Sequence, residues 1–198
     1  FSFMLIIRKI LYPISIIYFI IISFRNILFN YKILKSKKYT IPLIGIGNLS
    51  IGGTGKTPMA EYIFENFSEK FNLALLSRGY KRSTSGYIKA SSKSSPKSIG
   101  DEPYQIFKKF KNIQVSVDEK RVRGIDNLIL ENKNLKAIVL DDCFQHRSIS
   151  LKLNILLTSY KEPFFNDCIL PTGNLREPLN GYKRADIIIV TKCPDNLK

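Results

Sequence analysis

The octapeptide Ser50-Ile51-Gly52-Gly53-Thr54-Gly55-Lys56-Thr57 stands between a short apolar run, Ile41 to Gly47, and a stretch with helical periodicity. An apolar strand, a glycine-rich loop ending in Gly-Lys-Thr and a following helix form the setting in which such a loop binds phosphate. The glycines let the backbone curl so that several N–H groups point inward at phosphate oxygens. The helix adds its positive N-terminal end. Residues Ser50 to Thr57 are therefore the candidate nucleotide-binding set, with Lys56 reaching the outer phosphates and the Thr57 hydroxyl on Mg²⁺. The usual pattern, G-x-x-x-x-G-K-[ST], has a glycine where this chain has Ser50; Gly52 and Gly53 supply the freedom instead. A glycine-rich turn that binds nothing is the alternative, and the strand–loop–helix setting weighs against it.

Downstream of the loop, Pro58 falls in the first helical turn, where its missing N–H does no harm. Met59, Ile63, Phe64 and Phe67 recur at helical spacing and are expected to face a sheet. Leu73–Leu76 reads as a second strand with Ser77-Arg78-Gly79-Tyr80 at its end, where open α/β sheets place their ligands. Lys81 to Ser98, rich in serine and lysine, reads as a mobile surface loop: a solvated insertion or a basic flap over a phosphorylated substrate. Gly100-Asp101-Glu102-Pro103 precedes a helix over Tyr104–Phe110. Asp101 is either its N-cap or a catalytic carboxylate, and the pattern by itself favours the cap. Gln114–Val117 reads as a strand and Asp118–Leu130 as a helix. Arg121 in its first turn opposes the helix dipole, a weak pointer to an anionic partner.

Ala137-Ile138-Val139-Leu140-Asp141-Asp142 is the second strong signal. An apolar strand ending in a carboxylate is what a Walker B segment looks like, with Asp141 on Mg²⁺ and Asp142 in support or serving as a second acid. His146, on the loop that follows, is either a surface or a site histidine. Leu153–Leu157 and Asp186–Val190 complete a set of short apolar strands suited to a buried parallel sheet. Between them, Leu170 to Pro178 forms a loop of rigid turns that carries the charged pair Arg176-Glu177. Thr191-Lys192 followed by Asp195 is one residue out of register for a guanine-reading element.

The chain of 198 residues, with 31 Lys and Arg against 16 Asp and Glu, has room for one substantial core and a net charge of +15. Such a balance points to nucleic acid, an anionic membrane or a phosphorylated substrate, or to composition alone. The cysteines Cys143, Cys168 and Cys193 form no C-x-x-C pair, which argues against zinc or a disulfide framework and for small core residues in a reducing compartment. Near the N-terminus Leu5 to Phe24 is strongly apolar, interrupted by Arg8, Lys9 and Pro13, and a basic cluster of Lys32, Lys35, Lys37 and Lys38 follows. Its unbroken part, Ile10–Phe24, falls short of the ~20 residues a spanning helix needs. Three readings are open: a helix lying in the membrane face with Tyr12 and Tyr18 near the headgroups and its lysines on anionic lipid, a short span, or a buried core helix. The expected organisation is 1–38 as a membrane-associating segment and 39–198 as a P-loop domain. Its fold is α/β, a mostly parallel P-loop NTPase-like sheet with flanking helices.

Gly47 to Pro58, Ser77–Tyr80, Gly100–Pro103, Asp141-Asp142-Cys143-Phe144-Gln145-His146 and the stretch from Leu170-Pro171 to Arg176-Glu177-Pro178 resemble, in order, the motif blocks of the tetraacyldisaccharide 4′-kinases of lipid A biosynthesis. The serine at position 50 is shared with that family. The resemblance implies transfer of the γ-phosphate of ATP, with Mg²⁺, to the 4′-hydroxyl of a tetraacylated glucosamine disaccharide 1-phosphate, the lipid A precursor. It implies a membrane-associated enzyme on the cytoplasmic face of the bacterial inner membrane, its partners that precursor and an anionic membrane surface, with no nucleic acid. By resemblance Asp101 is the general base, Lys56 acts with it in catalysis and Asp141 binds Mg²⁺. Tyr80, Arg121, Asp142, Gln145, His146, Arg176 and Glu177 are further site candidates. Family members are longer, so a fragment lacking the C-terminal lobe is expected. In the family the histidine that assists the base belongs to that lobe, and His146 does not inherit its role.

Three rivals remain. A membrane ATPase of the ParA/MinD type requires a lysine where Ile51 stands. A nucleic-acid-dependent ATPase has only charge in its favour. An inactive remnant that binds lipid is the third.

Overall fold

The computed structural model describes residue 8 and residues 10–196. The start of the apolar run, Leu5 to Ile7, and Lys9 lie outside the described residues.

Strand β1 (Leu43–Gly47) runs into the glycine-rich loop and helix α2 (Lys56–Phe67). Then come β2 (Leu73–Ser77), β3 (Ile88–Lys89), the short α3 (Pro96–Ile99), α4 (Asp101–Lys109), β4 (Gln114–Val117), α5 (Arg121–Glu131), β5 (Ala137–Leu140), β6 (Leu153–Ser159) and β7 (Ile187–Thr191). The strands form one seven-stranded sheet in the order β3-β4-β2-β5-β1-β6-β7. All its pairings are parallel except that of β3 with β4.

Strand side chains alternate between two cores, and this is why the strands read as continuous apolar runs. Leu73 and Leu75 of β2, with Ala137 and Val139 of β5, pack under Ala60, Ile63 and Phe64 of α2 and Ile106 of α4. Ala74 and Leu76, with Ile138 and Leu140, pack under Ile125 and Leu128 of α5 on the other face. Phe64 is fully buried and tilts against Phe110 at 5.6 Å. Truncating such a ring typically costs ~3–5 kcal/mol. Phe67, expected on this face, is exposed, while Ala60, two turns earlier, is buried there.

Lys81 to Ser98 is not a free loop. It supplies β3, the antiparallel edge strand, and α3. Arg82 pairs with Glu119 at 2.6 Å, the Thr84 hydroxyl donates to Ser98 O, and Tyr87 packs on the second core. Polar side chains bonded to distant residues, with Tyr87 and Ala90 packed on the two cores, order a stretch that has little apolar content of its own. Of the cysteines, all free, Cys143 is a core residue while Cys168 and Cys193 are exposed.

Before the sheet, α1 (Tyr12–Asn30) is turned inside out. Its polar side chains face the protein. The Ser15 hydroxyl lies 2.7 Å from that of Thr172, and Arg25 donates to Gln145 O and Asn26 to Glu177. Tyr18, expected near the headgroups with Tyr12, instead turns inward and donates to Arg176 O, while Tyr12 is exposed. Arg25 and Arg147 both stack on Phe29. Its apolar side chains face outward: Ile17, Ile20 and Phe24 are 59%, 58% and 61% exposed. The core-helix reading is thereby overturned, since Ser15 alone among its residues is buried.

Candidate active site

The carboxyl ends of the parallel strands share one edge of the sheet, and the residues following β1, β2 and β5 meet there in a cleft of about 610 Å³. Ile51, Gly52 and Lys56 line it from the loop after β1, Ser77, Arg78 and Tyr80 from the end of β2, Asp101 and Glu102 from α4, and Asp141 and Asp142 from the end of β5. Arg176 closes it from the 170–178 loop. Gly55, with φ +85°, turns the chain into α2 through a conformation that a side chain would strain. Ser50 pairs with Leu175 as an isolated antiparallel bridge, and Ile51 N donates to Asn174 O at 2.8 Å. Thr54 is buried, Gly53 is exposed, and Thr57 is half-buried in the first turn of α2.

Asp101 is the first residue of α4, not its cap. Gly100 occupies the cap position with φ +91°, and no side chain caps the helix. A Cβ at Gly100 would stand 3.0 Å from Tyr80 O, so the glycine permits the close approach that sets Tyr80 and Asp101 on the same cleft. Asp101 and Glu102 are exposed there, favoured by the positive end of the helix.

At the tip of β5, Asp141 is buried. One carboxylate oxygen accepts from Ser77 Oγ at 3.2 Å, and the other is a buried acceptor without a protein partner. Burial, reinforced by the charges of Glu102 and Asp142, pushes its pKa up to about 6 against the pull of Arg121 and Lys56. Asp142 takes a left-handed conformation, φ +46°, that sends its carboxylate the other way. There Arg176 grips both oxygens, at 2.8 and 3.1 Å, and Lys56 lies 3.6 Å away. Burial works against ionisation, but the hydrogen bonds and charge of Arg176, with Lys56 and Arg121, hold Asp142 down at about 2. Arg176 also donates to Asn48 Oδ1.

Other sequence candidates stand behind the cleft. Arg121 is buried and donates to the carbonyls of Asp118 and Asp141, so the cation that opposed its own helix dipole ties down the tip of β5. Glu177 is buried, accepting from Arg184, Gln145 and Asn26, and Gln145 also donates to Asn48 O at 2.8 Å. His146 lines a separate polar cavity with Arg147 and Arg184, and burial, with the charge of Arg121, lowers its pKa to about 4. Sequence reasoning passed over Arg78 and Glu102 as individual site residues, although both lie in stretches it singled out. It also dismissed Thr191, whose hydroxyl lies 2.9 Å from Thr54 O and buttresses the loop from β7.

Among the described residues no group of three or more His, Cys, Asp or Glu side chains is arranged to hold a metal. That suits Mg²⁺, which keeps its waters and takes one or two protein ligands beside substrate phosphates. The orphaned oxygen of Asp141 is the acceptor such an ion needs.

A glycine-rich loop beside a buried acidic strand tip, with lysine and arginine converging above a parallel sheet, defines a protein of the P-loop nucleotide-binding class. Comparison with known proteins narrows the class. The profile of the tetraacyldisaccharide-1-P 4′-kinase family matches residues 7–198, and the chain belongs to that family. It is 50% identical over 190 residues to the tetraacyldisaccharide 4′-kinase of Flavobacterium johnsoniae, covering 96% of this chain and 56% of that protein. With the kinase of the same name from Parabacteroides distasonis it shares 52% over 188 residues, or 94% of this chain and 51% of that one. The solved structure of LpxK from Aquifex aeolicus in complex with ATP superposes with a TM-score of 0.86 at 41% identity, covering 94% of this chain and 59% of that chain. The chain spans about half the length of the curated relatives it matches.

Proposed function

We propose that this chain carries the nucleotide-binding and phosphoryl-transferring part of an ATP-dependent kinase. Its acceptor is the 4′-hydroxyl of a tetraacylated glucosamine disaccharide 1-phosphate, the lipid A precursor. The observation that carries the reading is the convergence of Lys56, Asp101, Asp141, Asp142 and Arg176 on one open cleft at the strand ends.

Bound MgATP supplies the γ-phosphoryl group and the divalent charge beside it. The backbone of Ser50 to Thr57 and the ammonium of Lys56 hold the outer phosphates, and Asp141 and Thr57 are the protein ligands on the metal side. Asp142, kept ionised by Arg176, fixes Lys56 from below. Asp101, open to the cleft, takes the proton from the attacking hydroxyl. Phosphoryl transfer has a loose transition state, so most of the acceleration comes from positioning and charge neutralisation, which these residues provide. Arg78 and Tyr80 stand where an anionic, sugar-bearing acceptor enters.

Residues 1–38 are the membrane-associating segment and 39–198 the kinase domain, working on the cytoplasmic face of the bacterial inner membrane. The inside-out α1 supports this. Its outward isoleucines and phenylalanines suit acyl chains, and the exposed Lys32, Lys35 and Lys38 that follow suit anionic headgroups. A spanning helix is disfavoured, because the contacts from Ser15 to Asn26 lay three turns of α1 along the sheet domain.

ATP consumption by the complete gene product tests the reading. It should rise when the lipid disaccharide 1-phosphate is added in detergent. Stimulation by nucleic acid, or nucleotide-driven dimerisation with no response to the lipid, would point to a rival instead.

A further inference from the structure

Three separate contacts join the inner face of α1 to the loop from Ile169 to Glu177. Thr172 N donates to Ser15 Oγ at 3.0 Å, Tyr18 Oη donates to Arg176 O at 2.8 Å, and Asn26 reaches Glu177 at 3.4 Å. The same loop is stitched to the phosphate-binding loop. Arg176 N donates to Leu49 O at 2.7 Å, Ser50 bridges to Leu175, and Ile51 N donates to Asn174 O. The residue whose carbonyl Tyr18 holds is the one whose guanidinium holds Asp142, and Asp142 faces Lys56. A chain of contacts thus runs from a lipid-facing helix through one peptide unit to the lysine expected on the phosphates.

We infer that Tyr18 is a positioning residue, through whose hydroxyl the seating of α1 on a membrane sets Arg176, and with it Asp142, Lys56 and the affinity for nucleotide. The inference rests on the reading of the cleft as the MgATP site and of α1 as an interfacial helix. Seating α1 in lipid limits its motion relative to the domain. The loop then spends more time in the arrangement that closes the Arg176–Asp142 pair. The outer face of α1 binds lipid, and the inner face reports it.

The test uses the complete gene product and the variant Tyr18→Phe, which removes one oxygen and keeps the ring. Two quantities are measured: sedimentation with vesicles of phosphatidylethanolamine and phosphatidylglycerol, and MgATP affinity with and without those vesicles, no acceptor being present. Vesicles should tighten MgATP binding by the parent protein roughly threefold to tenfold, about the worth of one hydrogen bond. Tyr18→Phe should sediment like the parent and lose most of that gain. In turnover its kcat should fall while KM for the lipid acceptor stays. Thr172→Val, which removes the Ser15–Thr172 hydroxyl contact from the loop side, should act in the same direction. A merely structural Tyr18 would lower vesicle binding or thermal stability and leave the vesicle effect on nucleotide intact; that result overturns the inference. So does a parent protein whose MgATP affinity ignores vesicles. A parent that binds no MgATP at all removes the site reading as well, and the two failures are thereby told apart.

Discussion

Arg176 holds Asp142 through both of its terminal nitrogens, at 2.8 and 3.1 Å, while Lys56 waits 3.6 Å from the same carboxylate. A carboxylate shared between an arginine and the lysine proposed to hold the phosphates is a device for placing that lysine. Held by Arg176, Asp142 attracts Lys56 without capturing it. The planar fork of arginine supplies this geometry, and a point charge does not.

Arg176→Ala should therefore let Asp142 draw Lys56 away from the phosphates. Turnover is expected to fall roughly 10²-fold, the scale of losing one preorganised charge-stabilising group. Arg176→Lys should recover only a small part. Single-turnover transfer by the complete gene product measures both, and an unchanged rate in either variant would remove the role given to the pair.

Asp101→Ala should cost roughly 10²–10⁴ in the transfer step, the range for a general base. Asp101 lines the cleft from α4, and its loss leaves Lys56 and Asp141 in place, so MgATP affinity by calorimetry should stay nearly unchanged. Normal turnover in this variant would disprove the assignment of the base.

Asp141 ties stability to pH. Its folded-state pKa lies near 6, above the ordinary carboxylate value of 3.8, so the folded protein takes up this proton more readily than the unfolded chain. Ionised Asp141 therefore costs stability above pH 6 in the absence of metal, and the cost disappears as the pH falls towards the unfolded value. Asp141→Asn should stabilise the nucleotide-free protein by roughly 1–3 kcal/mol at pH 8, the gain shrinking below pH 6. The same variant should lose the stabilisation that MgATP gives the parent. Thermal unfolding at several pH values, with and without MgATP, reads both effects, and a variant less stable than the parent at pH 8 would contradict them.

The outer face of α1 yields a separate prediction. Ile17→Glu combined with Phe24→Glu places two charges at positions that are 59% and 61% exposed and touch little protein. Sedimentation with anionic vesicles should be lost, with Tm shifted by no more than about 2 °C. Retained vesicle binding would mean that another surface meets the membrane.

The centre of the sheet was legible because β1, β2 and β5 are each a short apolar run ended by a functional punctuation mark. Gly47 leads into the loop, Ser77-Arg78 ends β2, and Asp141-Asp142 ends β5. Local chemistry writes these signals, so they survive without knowledge of contacts. What stayed hidden depends on partners distant in sequence. Arg121 reads as a misplaced cation until Asp141, twenty residues on, supplies the carbonyl it binds. Lys81 to Ser98 reads as free chain until Glu119 and Ser116 give its arginine and tyrosine something to hold. Asp101 reads as a cap because aspartate favours that position, yet Gly100, with its positive φ, holds it and frees the carboxylate for the cleft. Ser15 and Tyr18 go unnoticed inside an apolar run that reads as unbroken, and Arg25 and Asn26 read as its end. In three dimensions they are the face that docks.

The most direct measurement is phosphorus NMR of the lipid recovered after the complete gene product has been incubated with MgATP and tetraacylated glucosamine disaccharide 1-phosphate in detergent. The account predicts a second phosphomonoester, on the 4′ oxygen, formed in step with ADP. ADP formation that leaves the lipid unchanged, or phosphate added at the existing 1-phosphate instead of the 4′-hydroxyl, would contradict it.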